Sequence, residues 1–479
     1  MSIKQPSLFA KTKILCTIGP STESAESITK LVYAGMDGVR LNFSHGSYDF
    51  FEKVYNEIHL VCTNEKVPIA VLIDLQGPKI RIGDLAKPEI FIADNSTIEI
   101  TTEKIIGTDK IISTSYKNLS LDAQIGDVIL IDDGLIKLRV TDKRNNSVIC
   151  QVEAGGVLKP KKGMNLPGMN LSTESLTEKD RQDLQFALKH RVDFIALSFV
   201  RTPSDVLNLK EWLKSQNASQ PVIAKIEKKE AVDNFDEILK AADGIMIARG
   251  DLGVELPPQE VPVIQKEIIK KCNSVGKLVI TATQMLESMI QNPVPTRAEA
   301  SDVANAVWDG TDVVMLSGET SIGKYPVEAV KIMNAIVRNA EEQINNFREH
   351  VFQIPENIEE NLFDSVGRAI KNISDQINAK AIVTFTVEGR TARNLSKFRP
   401  QAKIISFTNK FETMNKLCLY WGVSSLFLNE IDKEHMAIDE AKKKIKESGH
   451  LKNGDLVIFT AGAPYSEKSR ANWIRFEII

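Results

Sequence analysis

Only five cysteines occur in 479 residues, and Cys16, Cys62, Cys150, Cys272 and Cys418 are scattered without CxxC spacing. An odd, dispersed set excludes a disulfide framework and a thiolate metal site, and reads as reduced thiols of a cytoplasmic protein. The six histidines form no HExxH or similar pattern, which removes the usual zinc-hydrolase signature. No apolar run approaches the roughly 20 residues needed to cross a bilayer. The opening MSIKQPSLFAKTKILCTIGP holds no apolar stretch of signal-peptide length, so the expected location is cytoplasmic. Surplus charge is missing as well: 60 Lys and Arg stand against 63 Asp and Glu, a net charge of −3. Without a basic field, neither nucleic acid nor an acidic membrane is an expected partner, and an anionic ligand must be held by local charges. Low-complexity tracts and solenoid repeats are absent too.

What is present is a composition of 43% hydrophobic and 26% charged residues in a chain long enough for two to four domains. Short β-rich apolar runs alternate with helical patterns, as parallel βα units require. Eight strands are expected, at Lys13–Ile18, Gly38–Phe43, Ile69–Asp74, Phe194–Phe199, Val222–Glu227, Gly244–Arg249, Leu278–Thr283 and Asp312–Ser317. Eight closes a (β/α)8, or TIM, barrel. Helical periodicity at Ser24–Ala34, Phe50–Asn64, Glu178–His190, Pro203–Ser215, Pro262–Val275 and near Pro326–Asn346 supplies connections. The third and fourth strands lie too far apart for one helix to join them. The stretch between, rich in Ile, Val and Thr with turns such as IGD, DDG and AGG, reads as a small β lid over the barrel mouth. The expected fold class is α/β, with residues 1–75 and 172–347 forming the barrel, 76–171 an inserted β-barrel lid domain and 348–479 a C-terminal α/β regulatory domain. Strands expected in the last are Ala381–Phe385, Lys403–Phe407, Ser424–Leu428, Asp455–Thr460 and Trp473–Ile478.

Polar residues cluster at the C-terminal ends of the barrel strands, where barrel enzymes keep their chemistry. Lys225 and Glu227 alternate to one side of a strand, followed by Asp251 in a Gly250-containing turn and by Thr283. Two carboxylates are the usual protein contribution to Mg²⁺ or Mn²⁺ on a phosphorylated ligand. Glu227 paired with a neighbouring lysine at the rim is the plain alternative. Lys225, in the apolar run VIAKIE, points inward, where a lone charge is costly. A transferring phosphoryl group, a Schiff base or a structural ion pair each resolves that cost. Arg40 and Arg81 sit in loops after strands and suit phosphate oxygens, although either also fits an ordinary surface. Asn42, Ser44 and Asp74 offer oxygens for a cation, while Ser44 equally fits a turn or N-cap. His45 could bond a nucleotide, and Lys162 either returns to the site or lies in a solvated turn.

Together the segments KILCTIGPS, GVRLNFSHG, DLQGPKIR, DDGLI, KKGMNLPG, LSFVR, AKIEKKEAV, GIMIARGDLGVEL, TATQMLESM, NPVPTRAEASDVANAVWDGTDVVMLSGET and GRTARNLSKFRP resemble the pyruvate kinase family over almost the whole chain. The resemblance implies a phosphotransferase that moves phosphoryl from phosphoenolpyruvate to ADP. In that reading Glu227 and Asp251 ligate Mg²⁺ and Lys225 neutralises the moving phosphoryl with Arg40 opposite. Thr283 relays the proton to the enolate, with Ser317 on the same path. Arg249, Gly250 and Asp251 bring backbone N–H groups to the substrate. Asn42, His45, Arg81 and Lys162 face ADP or its metal. The family's K⁺ position corresponds to Asn42, Ser44, Asp74 and the carbonyl of Leu75. Where many members read DTKGPEIR this chain has Leu75 and Lys79, which resembles the potassium-independent branch, so Mg²⁺ but not K⁺ is expected. TVEGRT (386–391) replaces a Ser/Thr/Lys-rich bisphosphate loop. A sugar monophosphate or nucleotide effector is expected there on Arg390, Thr391 and Arg393, rather than fructose 1,6-bisphosphate. SGETSIGKYP departs from SGETAKG, leaving Lys324 to replace the usual nucleotide lysine. A homotetramer is expected, without the additional phosphohistidine-like domain of some bacterial relatives. A Mg²⁺-dependent barrel lyase or aldolase is the rival enzyme, and a degenerate metabolite sensor the non-enzyme alternative.

Overall fold

The computed structural model describes residues 9–169, 171–343, 352–429, 434–462 and 470–479. Eight parallel strands close on themselves in sequential order: β1 (Lys13–Thr17), β2 (Gly38–Asn42), β3 (Ala70–Asp74), β4 (Phe194–Leu197), β5 (Val222–Ile226), β6 (Gly244–Ala248), β7 (Leu278–Ala282) and β8 (Val313–Leu316), with β8 pairing β1. Side chains alternate between two apolar layers. Leu15, Leu72, Phe194, Ile223, Met246, Ile280 and Met315 fill the barrel interior, while Ile14, Val39, Ile73, Ile195 and Val279 pack outward on the helices. Burial on both faces explains why these strands read as continuous apolar runs.

Seven of the eight barrel strands end one or two residues before the expected limit, while β3 ends at Asp74 as expected. The physical cause is visible at Phe199 (φ 54°) and Thr283 (φ 67°), where the chain turns into the left-handed region and leaves the ladder. Arg249 likewise does not extend β6 but opens a short helix, Arg249–Glu255. Several connecting helices start where side-chain caps satisfy their first N–H groups. Thr177 with Asp180 and Thr296 with Glu299 form capping boxes, and Pro203 occupies the first turn of Pro203–Ser215. The helix after β8 runs Pro326–Glu342. Its expected end at Asn346 and the boundary at 347–348 lie outside the described residues.

Between β3 and β4 the chain forms a six-stranded sheet in the order Met164–Asn165, Val128–Ile131, Ile136–Arg144, Ser147–Ala154, Thr97–Thr101, Ile111–Ser113, beside a two-stranded pair of Ile90–Ile92 and Gly156–Leu158. It encloses its own core, including Ile98, Ile100, Leu138 and Val152. The C-terminal sheet contains β9 (Ala381–Phe385), β10 (Lys403–Thr408), β11 (Val423–Phe427), β12 (Leu456–Ala461) and β13 (Trp473–Ile478), ordered β11-β10-β9-β12-β13 with only β13 antiparallel. It lies against the N-terminal face of the barrel. Leu419 joins the barrel's interior cluster, the Lys13 ammonium donates to the Val423 carbonyl at 2.8 Å, and buried Arg399 pairs with Asp312 and lies 4.9 Å over the Trp421 ring. Among the described residues no helix is long and apolar enough to cross a membrane.

His450 is buried in this seam, 3.2 Å from the Ser424 hydroxyl. Burial, and then Lys403 and Lys13, push its imidazole down to about 4. The depressed value means that the unfolded chain binds the proton more readily, so this contribution is complete above pH ~6.5 and is lost as pH falls toward 4. Between pH 7.5 and 5 the loss should reach about 2 kcal/mol. Comparing denaturant midpoints of the parent and His450→Leu should show a pH-dependent gap that closes on acidification. A constant gap would contradict this reading.

Candidate active site

A buried ammonium stands at the C-terminal mouth of the barrel. β5 delivers Lys225 beside Asp74 at the end of β3, because Asp74 is in register with Asn42 on β2 and Ala196 on β4. The Lys225 Nζ lies 2.8 Å from Glu227 Oε1, 3.1 Å from Asp74 Oδ1 and 2.8 Å from the Ser198 hydroxyl. Burial alone would lower the pKa of Lys225, but Asp74 and Glu227 reverse this and raise it. Arg40 closes the charge chain: its Nε and Nη2 lie 2.8 and 2.7 Å from Asp74 Oδ2, and Nη1 donates to Thr17 Oγ1 at 3.0 Å. Burial would raise the Asp74 carboxyl, yet Lys225 and Arg40 hold it below the usual range.

Glu227 behaves differently. Its Oε2 accepts the Phe199 N–H at 2.8 Å, but burial and the nearby Asp251 charge raise its pKa against the pull of Lys225. A buried carboxylate with a second negative charge nearby suits a divalent cation. Among the described residues no group of three or more His, Cys, Asp or Glu could hold a metal, so Glu227 and Asp251 could hold one only with further oxygens from substrate and water. Across the mouth, the Thr283 hydroxyl accepts the Gly250 N–H at 2.8 Å and donates to the Ala282 carbonyl at 2.6 Å. The Arg249 side chain points away, to Asp302 (2.7 Å) and the Thr283 carbonyl (2.7 Å). It braces the turn that presents Thr283, leaving only its backbone for ligand. Ser317 Oγ is buried without a hydrogen-bond partner among the described residues, and its N–H donates to Glu319 Oε2 at 2.7 Å.

On the Arg40 side, His45 feels burial first and then the cations Lys79, Arg81 and Arg40, all of which lower its pKa. Lys79 is exposed and makes no ion pair among the described residues. Arg81 Nη1 donates to the Lys161 carbonyl at 3.0 Å. Lys162 does not reach the barrel: its ammonium pairs at 2.8 Å with Asp132, within the inserted sheet. Asn42 Oδ1 accepts the Ser44 N–H at 3.1 Å, the turn-forming use of that segment. Leu75 O accepts the Ser198 hydroxyl at 2.7 Å. Ser198 was absent from the sequence-derived site. Its position directly after β4, at a C-terminal strand end, was the available signal.

Comparison with known proteins decides the family. The description "Pyruvate kinase, barrel domain" matches residues 9–330, and "Pyruvate kinase, alpha/beta domain" matches residues 364–476. The chain belongs to the pyruvate kinase family. Pyruvate kinases of Staphylococcus aureus strains MRSA252 and USA300 are each 44% identical over 471 residues, which is 98% of this chain and 80% of theirs. The crystal structure of a pyruvate kinase from Cryptosporidium parvum superposes with a TM-score of 0.89 at 37% identity, covering 99% of this chain and 97% of that one. The activity that follows is phosphoryl transfer from phosphoenolpyruvate to ADP, giving pyruvate and ATP at the glycolytic step. Members of the family normally use a divalent metal ion together with K⁺.

Proposed function

We propose that Lys225 is the group this phosphotransferase sets against the moving phosphoryl, with Arg40 on its far side. The observation that carries this reading is a buried ammonium held between two carboxylates at the mouth of the barrel. Glu227 and Asp251 would hold Mg²⁺ or Mn²⁺, which when bound supplies positive charge to the substrate carboxylate and bridging oxygen. Thr283, braced by Arg249 and hydrogen-bonded to Gly250, would relay a proton from water to the enolate carbon, with the Ser317 hydroxyl, which has no hydrogen-bond partner among the described residues, on the same path. Arg249, Gly250 and Asp251 offer backbone to the substrate; the Gly250 N–H must exchange its Thr283 bond to do so. Asn42, His45 and Arg81 face ADP. Lys162 joins them only if the inserted domain, residues 76–171, closes and the Asp132 pair exchanges for phosphate.

The same reading makes K⁺ unnecessary. The Leu75 carbonyl, Asn42 Oδ1 and both Asp74 oxygens already have protein partners, and Lys79 adds fixed positive charge near His45. Pyruvate formation from phosphoenolpyruvate, ADP and Mg²⁺ should proceed equally with and without K⁺, Lys79→Glu should become K⁺-dependent, and Lys225→Met should lose roughly a thousandfold or more. Abolition by K⁺ omission with no effect of Lys79→Glu would refute the cation argument while leaving the activity.

In the C-terminal domain, Glu388 is tied to Lys410 at 2.6 Å and shares a cavity of about 470 Å³ with Arg390, Arg393 and Lys416. None of these three cations makes an ion pair among the described residues. This supports a single phosphate group on a sugar or nucleotide as effector, because Glu388 repels a second phosphate. Calorimetry should give tighter binding for a sugar monophosphate or AMP than for fructose 1,6-bisphosphate; the reverse order would sink the assignment. A homotetramer is the proposed assembly, supported by exposed Ile358, Leu362, Phe476 and Ile478 in the C-terminal region. Sedimentation as a monomer at micromolar concentration would exclude it.

A further inference from the structure

All three donor positions of the Lys225 ammonium are already spent inside the protein: on Asp74, on Glu227 and on the Ser198 hydroxyl. A phosphoryl oxygen can be bound by this lysine only if one of those bonds is given up. Two of the three acceptors are carboxylates, which hold the ammonium by full opposite charge as well as by a hydrogen bond, whereas Ser198 offers only the dipole of a neutral hydroxyl. Glu227 is further held by the Phe199 N–H and Asp74 by Arg40. The cheapest bond to exchange is therefore the one to Ser198. That hydroxyl is well placed for the exchange. It is buried at 2% exposure, and its own proton goes to the Leu75 carbonyl at 2.7 Å, with Asp74 Oδ1 at 3.3 Å. Losing the lysine as a donor therefore leaves no polar hydrogen of Ser198 unpaired.

We propose that Ser198 is a placeholder for the substrate phosphoryl oxygen: a positioning residue that occupies the third donor of Lys225 at rest and yields it on binding. The inference rests on Lys225 being the phosphoryl-facing group. The consequence is thermodynamic. Without the placeholder the resting ammonium carries an unsatisfied buried donor, so the free enzyme is destabilised while the substrate complex is not. Ground-state and transition-state complexes gain equally, which lowers KM and leaves kcat alone.

Ser198→Cys keeps the side-chain volume, excludes water from the vacated place and substitutes a poor acceptor. With the full chain and saturating Mg²⁺, the dissociation constant for phosphoenolpyruvate, measured by calorimetry without ADP, should fall roughly ten- to a hundredfold, the worth of one hydrogen bond to a charged group. KM should fall with it and kcat should stay within about a factor of two. Ser198→Thr, which restores the hydroxyl, should return all three constants to the parent values. A purely structural hydroxyl would instead give a higher KM and a lower kcat together, and that result, or no change in either constant, overturns the proposal. Lys225→Met separates the layers. If it keeps turnover, the assignment of Lys225 fails; if it is inactive while Ser198→Cys binds substrate as the parent does, only the placeholder fails.

Discussion

The ammonium of Lys225 constrains most of what surrounds it, because an unpaired charge at this depth would cost several kcal/mol. Asp74 and Glu227 meet that cost, but each is itself buried and needs a partner, which brings in Arg40 and the Phe199 N–H. Removing one member of such a chain typically costs ~3–5 kcal/mol, since it strands the others. The chain of charges requires β2, β3, β4 and β5 to be held side by side in one register. A closed barrel supplies that rigidity, with no free edge to slip. The stability of the barrel and the poise of its reactive mouth are therefore one problem.

The two ends of the barrel serve different ends. The C-terminal face gathers Lys225, Glu227, Asp251 and Thr283. The N-terminal face is sealed by the C-terminal domain through Leu419, Arg399 and Lys13. Arg399 pairs with Asp312, which also accepts the Val279 N–H at 2.8 Å at the start of β7. β7 ends in the turn that carries Thr283. A single short strand thus connects the ion pair of the seam to the turn that carries Thr283.

The eight strands were legible because double burial writes continuous apolar runs, and the polar residue closing each run marked the mouth. Lys225, Glu227 and Asp74 were brought together as their strand-end positions implied, whereas Arg40 joins them from within β2 and not from the loop expected for it. The strand limits were less legible. Phe199 and Thr283 take left-handed backbone without being glycine, so no residue type announced the turn. Lys162 illustrates a different limit. Its partner Asp132 lies in the DDG turn, and their approach depends on how the inserted sheet pairs Met164 with Ile131, a long-range register with no local signature. Ser198 escaped because its importance lies in counting the donors of another residue, which requires coordinates.

The cations on the Arg40 side follow the opposite logic from the Lys225 cluster. There, each positive charge has a carboxylate; here, burial first and then Lys79, Arg81 and Arg40 disfavour protonation of His45, and only Arg40 is spoken for by Asp74. Exposure tolerates this imbalance in a way that burial would not, because water screens the repulsion. A monovalent cation entering the neighbourhood would add to the repulsion and would find the Leu75 carbonyl and Asn42 oxygen already engaged. A polyphosphate would relieve it. The same surplus that argues against K⁺ therefore argues for the nucleotide, and one electrostatic feature accounts for both expectations.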